Sequence, residues 1–209
     1  TAAETGCTVT LLEKEAELGG WLRKIAKIPR KFRMQRLLDY MLHRADGLKN
    51  LTCLTGVIAT SELIRAFKPD LVVWSIGSEP FHPAIPGLQE RLNAPNGRVT
   101  DVNGFLKNLD KEADITGKQI LLAGGGPVAL DIAEFFAENG NQVTIVEMLP
   151  EIGRGQDTFS KQYTLEVFAK HKVVTLLSHR VKEVRDDSVL VFCGGEQKEI
   201  PYDYAFCAL

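Results

Sequence analysis

Residues 119–147 read QILLAGGGPVALDIAEFFAENGNQVTIVE, and the order of features in this stretch decides the fold. The apolar run Ile120 to Ala123 predicts a buried strand. It breaks at Gly124, Gly125 and Gly126, and a helix opens at Pro127. Proline suits a first helical position because the N–H it lacks would have had no partner there. Val128, Ala129, Ile132, Ala133 and Phe136 recur at helical spacing, and Asn139-Gly140 supplies the stop. Val143–Val146 is a second strand that ends on Glu147. The sequence is that of a βαβ unit whose loop cradles a phosphate.

Each residue type has a reason to be where it is. Gly124 allows a tight turn, and Gly126 lets the backbone come close to a pyrophosphate. Ala129 stands where a third glycine usually stands and keeps the helix near its strand. The N–H groups at the start of the helix, with the positive end of its dipole, receive the phosphate charge. Glu147 lies 21 positions after Gly126, close to the spacing of about 20 expected for a carboxylate on the adenosine ribose. An acid there accepts from the 2′-hydroxyl and repels a 2′-phosphate, so NADH is favoured over NADPH. The plainer alternative is a glycine-rich turn in some other α/β protein. The ordered sequence of strand, loop, helix, strand and acid favours the dinucleotide.

Composition narrows the surroundings. With 44% hydrophobic and 25% charged residues, the chain has the make-up of a globular protein. A net charge of −2 with the signs interspersed gives no electrostatic case for nucleic acid or an anionic membrane. No apolar run reaches membrane-spanning length and no signal peptide is read. Cys7, Cys53, Cys193 and Cys207 are scattered singly without a CxxC pair, which fits reduced thiols in the cytoplasm and argues against a metal site or a disulfide-reducing flavoenzyme. His43, His82, His171 and His179 have no ligand spacing and are expected on solvated faces or in loops.

A second copy of the same half-unit precedes the first. In TAAETGCTVTLLEKEAELGG (1–20), Ala3, Glu4, Gly6, Val9, Thr10, Glu13, Glu17 and Gly19 match Ala137, Glu138, Gly140, Val143, Thr144, Glu147, Glu151 and Gly153. Subtracting 13 from 147, or 19 from 153, gives the same offset of 134. The matching glycine loop would then fall upstream of Thr1, so the chain is expected to be part of a protein with two dinucleotide sites. Glu13 reads as the ribose acid of the first site. The alternative is one solvated acid among Glu13-Lys14-Glu15, and the constant offset favours the former. Gly19-Gly20 permits a turn near a ligand or simply ends the loop. Trp21 either covers a ring or fills a gap.

Residues 30–46 predict a helix whose apolar stripe (Phe32, Leu37, Leu38, Met41, Leu42) packs against the fold. Strands are expected at 50–55 and, buried, at 71–76, with a helix at 61–67 between them. The second strand ends in Gly77-Ser78, which either lets a cofactor pass or merely turns the chain. Pro80, Pro83, Pro86, Gly87, Pro95 and Gly97 mark a connection between domains. A helix is expected at 158–170, and strands at 172–177, 181–184 and 189–193, the last turned back by Gly194-Gly195 through 198–200. The end, PYDYAFCAL, parallels KPDLVVWSIG, with Asp203 matching Asp70.

With these residues in hand, the chain resembles the glutathione-reductase-like flavoproteins, in which one dinucleotide fold is inserted into another. More narrowly, TVTLLEKEAELGGWL, KPDLVVWSIGSEPFHPAIPG and GGGPVALDIAEFFAENGNQVTIVEMLPEIGR resemble the C-terminal part of the multidomain NADH:flavin oxidoreductases, a group that includes 2-enoate reductases, 2,4-dienoyl-CoA reductases and trimethylamine dehydrogenase. The resemblance implies an α/β fold in two parts. One is a Rossmann-like NAD(P)-binding domain at 117–209, a parallel sheet with helices on both faces plus a β-hairpin. The other is a truncated FAD-binding domain at 1–85, with 86–116 connecting them. It also implies that NADH passes a hydride to FAD, and that electrons then reach an FMN barrel through a 4Fe-4S cluster, both outside this chain, to reduce an activated C=C bond. Matching positions give Gly124, Gly125, Gly126, Pro127, Val128, Ala129, Glu147, Met148 and Arg154 to the nicotinamide nucleotide. Glu13, Lys14, Gly19, Gly20, Val57 and Gly77 go to FAD. No catalytic residue and no metal ligand is assigned. The expected partners are these small-molecule nucleotides and the remainder of the parent polypeptide, with an edge left by the absent first strand covered either by dimerisation or by rearrangement. Two alternatives stay open: the electron-input subunit of a glutamate-synthase-like enzyme, and a nucleotide-binding module without activity.

Overall fold

The computed structural model describes residues 1–28 and 31–209, which form two compact units, Thr1–Gly77 and Ser78–Leu209. Among the described residues no helix is long and apolar enough to cross a membrane.

The first unit opens on a 3₁₀ turn, Ala3–Thr5, closed by Gly6 in the left-handed region. Strand β1 (Val9–Glu13), helices α1 (Gly20–Ile25) and α2 (Phe32–Asp46), strand β2 (Leu51–Thr55) and helix α3 (Ser61–Ala66) follow. β1 and β2 pair in parallel, Val9 opposite Leu51 and Glu13 opposite Thr55. Asn50 fastens the entry to β2, its Nδ2 donating to the carbonyls of Ala3 and Cys7 at 2.7 Å. The Thr60 hydroxyl caps α3 by accepting from Leu63 N, and the Lys24 ammonium lies 4.8 Å from the centre of the Trp21 ring.

Two expectations fail in this unit, for one reason. Residues 71–76 do not form a buried strand; they run as irregular chain with Leu71, Val73, Trp74 and Ile76 exposed. The apolar stripe of α2 does not pack as a whole either. Leu38 is buried, whereas Phe32, Leu37 and Met41 stand exposed (Arg30, the first residue of that expected helix, lies outside the described residues). The sheet here has two strands, β1 and β2. In the second unit the strand matching 71–76 is held by the strand that carries the glycine loop. Among the described residues of the first unit no strand stands beside 71–76 for its backbone to pair with, and α2 has only β1 and β2 to cover. Among the described residues the apolar burial of this unit comes down to Ala3, Ile28 and Leu38.

The second unit begins with α4 (Leu88–Leu92), β3 (Val99–Asp101), α5 (Val102–Lys107) and α6 (Leu109–Glu112), so residues 86–116 carry three helices and a strand. β4 (Gln119–Ala123), α7 (Pro127–Glu138), β5 (Gln142–Val146), α8 (Thr158–His171) and β6 (Val174–Leu176) follow. β7 (Arg180–Val184), β8 (Ser188–Cys193), β9 (Glu196–Pro201) and β10 (Tyr204–Cys207) complete the chain. The main sheet is parallel throughout, in the order β3-β10-β4-β5-β6. β7, β8 and β9 form a separate antiparallel sheet.

Side chains alternate across a strand, and the two faces of the main sheet are covered differently. Leu121 and Ala123 of β4 and Ala205 and Cys207 of β10 join Val181, Val184, Val189, Val191 and Ile200 of the antiparallel sheet in one apolar cluster, with Leu88 of α4. The intervening Phe206 points to the opposite face. There its ring lies 4.7 Å from Phe136 of α7 and 5.9 Å from Phe105 of α5. Short polar ties set the strand ends. Asp203 accepts from Gln119 N through Oδ2 and donates its own N–H to Gln119 O, which aligns β10 with β4. Arg98 donates to the carbonyls of Tyr202 and Asp203. Asn139 and Asn141, at the end of α7, both donate to Ile115 O and bind the loop that enters β4.

Glu112, the last residue of α6, has a buried Oε2 without a hydrogen-bond partner among the described residues. Burial pushes its carboxyl up from 4.5 to about 7. The folded state therefore holds a proton that the unfolded chain releases first, and stability falls as pH rises through this window. Because the residue keeps solvent contact, screening reduces the effect to on the order of 1 kcal/mol. Glu112→Gln is expected to raise the thermal midpoint at about pH 8 and to leave it unchanged at about pH 4, measured by circular dichroism. An equal shift at both pH values removes Glu112 as the source.

Candidate nucleotide site

β4 delivers its last residue, Ala123, into the glycine loop, and each of the three glycines meets a different constraint. Gly124 has φ 110°, and a Cβ there would lie 2.4 Å from the carbonyl oxygen of Ala208. Its N–H donates to Val146 O at 2.9 Å, extending the β4–β5 ladder one step. Gly125 donates its N–H to Glu147 Oε2 at 2.6 Å, and its carbonyl accepts from Gly153 N at 2.7 Å. A Cβ on Gly125 would press on both Glu147 and Ile152. Gly126 is the N-cap of α7 in extended conformation, and a Cβ there would meet nothing within 4 Å. One glycine is thus held by packing, the next by a carboxylate, and the third faces open space.

α7 begins at Pro127 with no side chain capping it. The first N–H groups of a helix have no partner inside it, so this end presents donors and a partial positive charge toward the space over Gly126. Val128 is half exposed beside them. Ala129 is fully buried against the sheet, which is the close helix–strand approach its small side chain allows.

Glu147 stands at the carboxyl end of β5 and is 7% exposed. Besides Gly125 N, it accepts from Leu149 N through Oε1 at 2.7 Å. Each carboxylate oxygen has a second acceptor direction, so the group has capacity for a ligand hydroxyl. Met148 and Arg154, further along the same turn, are exposed. Lys161 reaches back from α8 to Glu151 at 2.8 Å, holding the turn against that helix.

The first unit repeats the bonds of the turn that follows this acid. Glu13 Oε1 accepts from Glu15 N at 2.9 Å, as Glu147 does from Leu149 N. The Glu13 carbonyl accepts from Val57 N at 2.9 Å, as that of Glu147 does from His179 N. Gly56 N donates to Glu15 O just as Ser178 N donates to Leu149 O. Gly19 and Gly153, both at positive φ, also match: an added Cβ would meet Leu38 Cδ1 at 2.7 Å in one and Leu130 Cδ1 at 3.0 Å in the other. Glu13 and Val57 are thus brought together. Lys14 is exposed, and Gly20 and Gly77 have open space around their α-carbons.

Three features escaped the sequence reading. Gly153 N bonds the glycine loop, and its match to Gly19 in the repeat was the available signal. Ala208 closes over Gly124 from the far end of the chain, with no local signal at all. His82, expected on a solvated face or in a loop, lies in a loop and is half-buried there, with Nε2 3.0 Å from Asp101 Oδ2, while Asp101 Oδ1 caps α5 by accepting from Gly104 N; that pairing had no signal in the sequence. Burial pushes the Cys207 thiol up, which keeps it protonated and unreactive. No group of metal-ligating side chains occurs among the described residues.

An uncapped helix start, a loop glycine under open space and an acid at the end of the next strand fit a dinucleotide, with pyrophosphate at the loop and ribose at the acid. The class is therefore a Rossmann-like α/β protein. The chain matches the pyridine nucleotide-disulphide oxidoreductase family over residues 1–209 and belongs to it, as an FAD- and NAD(P)-binding region. It is 30% identical over 208 residues to bilirubin reductase of Mediterraneibacter gnavus, covering 100% of this chain and 31% of that protein. It is 34% identical over 173 residues to NADH oxidase of Thermoanaerobacter brockii, covering 81% of this chain and 25% of that one. Among solved structures, 2-naphthoyl-CoA reductase in complex with 2-naphthoyl-CoA superposes with a TM-score of 0.82 at 25% identity, covering 99% of this chain and 30% of that one. The chain spans less than a third of the length of these relatives.

The glycine geometry separates folding from binding. Gly126→Ala enters open space at an ordinary backbone conformation, so it is expected to leave the thermal midpoint unchanged and to weaken NADH about tenfold or more by occupying the approach to the loop. Gly124→Ala meets the Ala208 carbonyl at positive φ and is expected to lower the midpoint itself. Melting curves and titration calorimetry on both variants check the pair.

Proposed function

We propose that this chain is the nicotinamide-nucleotide-binding part, with a portion of the FAD-binding part, of an NADH-dependent flavin oxidoreductase. Ser78–Leu209 takes NADH, and Thr1–Gly77 belongs to the flavin side. The observation that carries the reading is the bond from Gly125 N to Glu147 Oε2, which fixes an acid beside the loop where an adenosine ribose would lie. That acid favours a free 2′-hydroxyl, hence NADH over NADPH.

When bound, nicotinamide and flavin supply the hydride chemistry. This chain's residues bind and orient. The α7 N–H groups hold the pyrophosphate, the open space over Gly126 admits it, and Glu147 accepts from the ribose. On the flavin side Glu13, fixed by Glu15 N and next to Val57, would accept from the ribose of FAD. No side chain is needed as an acid or base, and none is nominated. In the parent, electrons from FAD would pass through a 4Fe-4S cluster to an FMN barrel and reduce an activated C=C bond. The relatives named as reductases and as an NADH oxidase support a flavin oxidoreductase of this kind. The four cysteines are unpaired, which fits the reducing cytoplasm.

Titration calorimetry of the full chain with NADH, NADPH and FAD in parallel tests the assignment. NADH is expected to bind more tightly than NADPH, and absence of any nucleotide binding overturns the reading. Glu147→Ala is expected to weaken NADH about tenfold and to narrow its preference over NADPH. Unchanged selectivity would take Glu147 out of its role.

A further inference from the structure

The chain enters the second unit through a proline-rich stretch, 78–87, and its hold on that unit is uneven. Ser78, Glu79 and Phe81 are exposed, and no hydrogen bond or ion pair engages 78–81 among the described residues. From Ile85 onward the chain is clamped. Ile85 packs against the apolar cluster, and Leu88 lies inside it. Pro86 O accepts from Val184 N at 2.9 Å. Gly87, at φ 77°, runs so close to β7 that a Cβ there would collide with the Val184 carbonyl. Between the open residues and this clamp stands one polar contact, His82 to Asp101.

Asp101 is a fixed post for that contact. It ends β3, with its backbone opposite Cys207 of β10, and its two carboxylate oxygens do separate jobs. Oδ1 accepts from Gly104 N at 2.7 Å and caps α5, while Oδ2 lies 3.0 Å from His82 Nε2. Both side chains are mostly covered, so water competes weakly for the bond. An imidazole that carries its proton on Nε2 donates to a carboxylate whether the ring is neutral or charged, so the contact is available in both states. The residues just beyond are stiff. Pro83 has a fixed φ, and its carbonyl accepts from Ile85 N at 2.7 Å. Holding His82 therefore holds 82–84.

We infer that His82 and Asp101 form a latch that keeps the free joint between Thr1–Gly77 and Ser78–Leu209 at its shortest length. With the latch made, the joint is 78–81. With it open, the next anchor is Ile85 and the joint runs to residue 84. That adds three residues, or about 10 Å of extended chain. The pair lies outside the glycine loop and the Glu147 turn, and its role does not depend on what that site binds.

Digestion of the full chain with chymotrypsin tests the latch. Phe81 is 75% exposed and Trp74, in irregular chain upstream, is 66% exposed, so exposure alone predicts that both are cut readily. A protease also needs several extended residues on each side of the bond, and the latch withholds 82–84. In the unmodified chain, cleavage after Trp74 is expected to outpace cleavage after Phe81 about tenfold or more, read from the masses of the fragments. Asp101→Ser leaves the cleaved sequence untouched, keeps an oxygen for Gly104 N and removes the acceptor for His82. It is expected to raise the rate after Phe81, relative to that after Trp74, about tenfold. His82→Gln places a carboxamide N–H near the position of Nε2 and is expected to retain the resistance, whereas His82→Leu loses it. These two variants leave the α5 cap alone, so they decide the matter should Asp101→Ser fold poorly. A cleavage ratio that neither Asp101→Ser nor His82→Leu changes overturns the latch. So does an unmodified chain cut after Phe81 as fast as after Trp74.

Discussion

A loop of three glycines has no side chains to hold it and more backbone freedom to lose than any other tripeptide. What fixes it here is the Glu147 carboxylate, which receives Gly125 N and Leu149 N at once. Hydrogen bonds to a charged acceptor contribute about 1.5–3 kcal/mol each, enough to select one loop conformation. With Gly125 held, Gly153 can reach its carbonyl, Gly126 is turned outward, and α7 starts with its donors directed at open space. The acid proposed to contact a ribose is therefore also the brace of the glycine loop, so that one side chain would both hold the loop and recognise the nucleotide.

The two units show what a single strand contributes. β4 pairs with β5 on one side and β10 on the other, and its faces are buried by the phenylalanine cluster and by the antiparallel sheet. A parallel sheet needs both faces and both neighbours of such a strand. The first unit has the matching turn, the matching acid and the matching glycine, all formed by local bonds, without a counterpart of β4 among the described residues. Its sheet stays at two strands, α2 leaves three large apolar residues outside, and 71–76 lies open. The turn chemistry survives because it is local; the core does not because it is shared.

The same distinction separates what the sequence disclosed from what it did not. Residues 119–147 could be read because strand, loop, helix and acid are set by neighbours within a few positions. The repeat could be read because glutamates and glycines recur at one offset, and the bonds of Glu13 and Glu147 match accordingly. Residues 71–76 misled because their apolar run states a preference for burial but not whether a partner is present. Val99–Asp101 was hidden among prolines and glycines, being three residues long and made a strand by β10 alone. Phe105, within that same stretch, is almost completely buried through rings more than 25 positions away. The pairing of His82 with Asp101 and the closure of Ala208 over Gly124 likewise join distant parts of the chain, and no local pattern announces them.

The distribution of one residue type gives the molecule an optical asymmetry. The chain has two tryptophans: Trp21, beneath the Lys24 ammonium, and Trp74, in the open segment. Both belong to Thr1–Gly77, so the indole rings themselves lie in that unit. Anything that orders residues 71–76 transfers Trp74 from water to an apolar setting and changes the colour of its emission. The first unit carries its own fluorescent label, placed in the segment whose burial distinguishes an open sheet from a completed one.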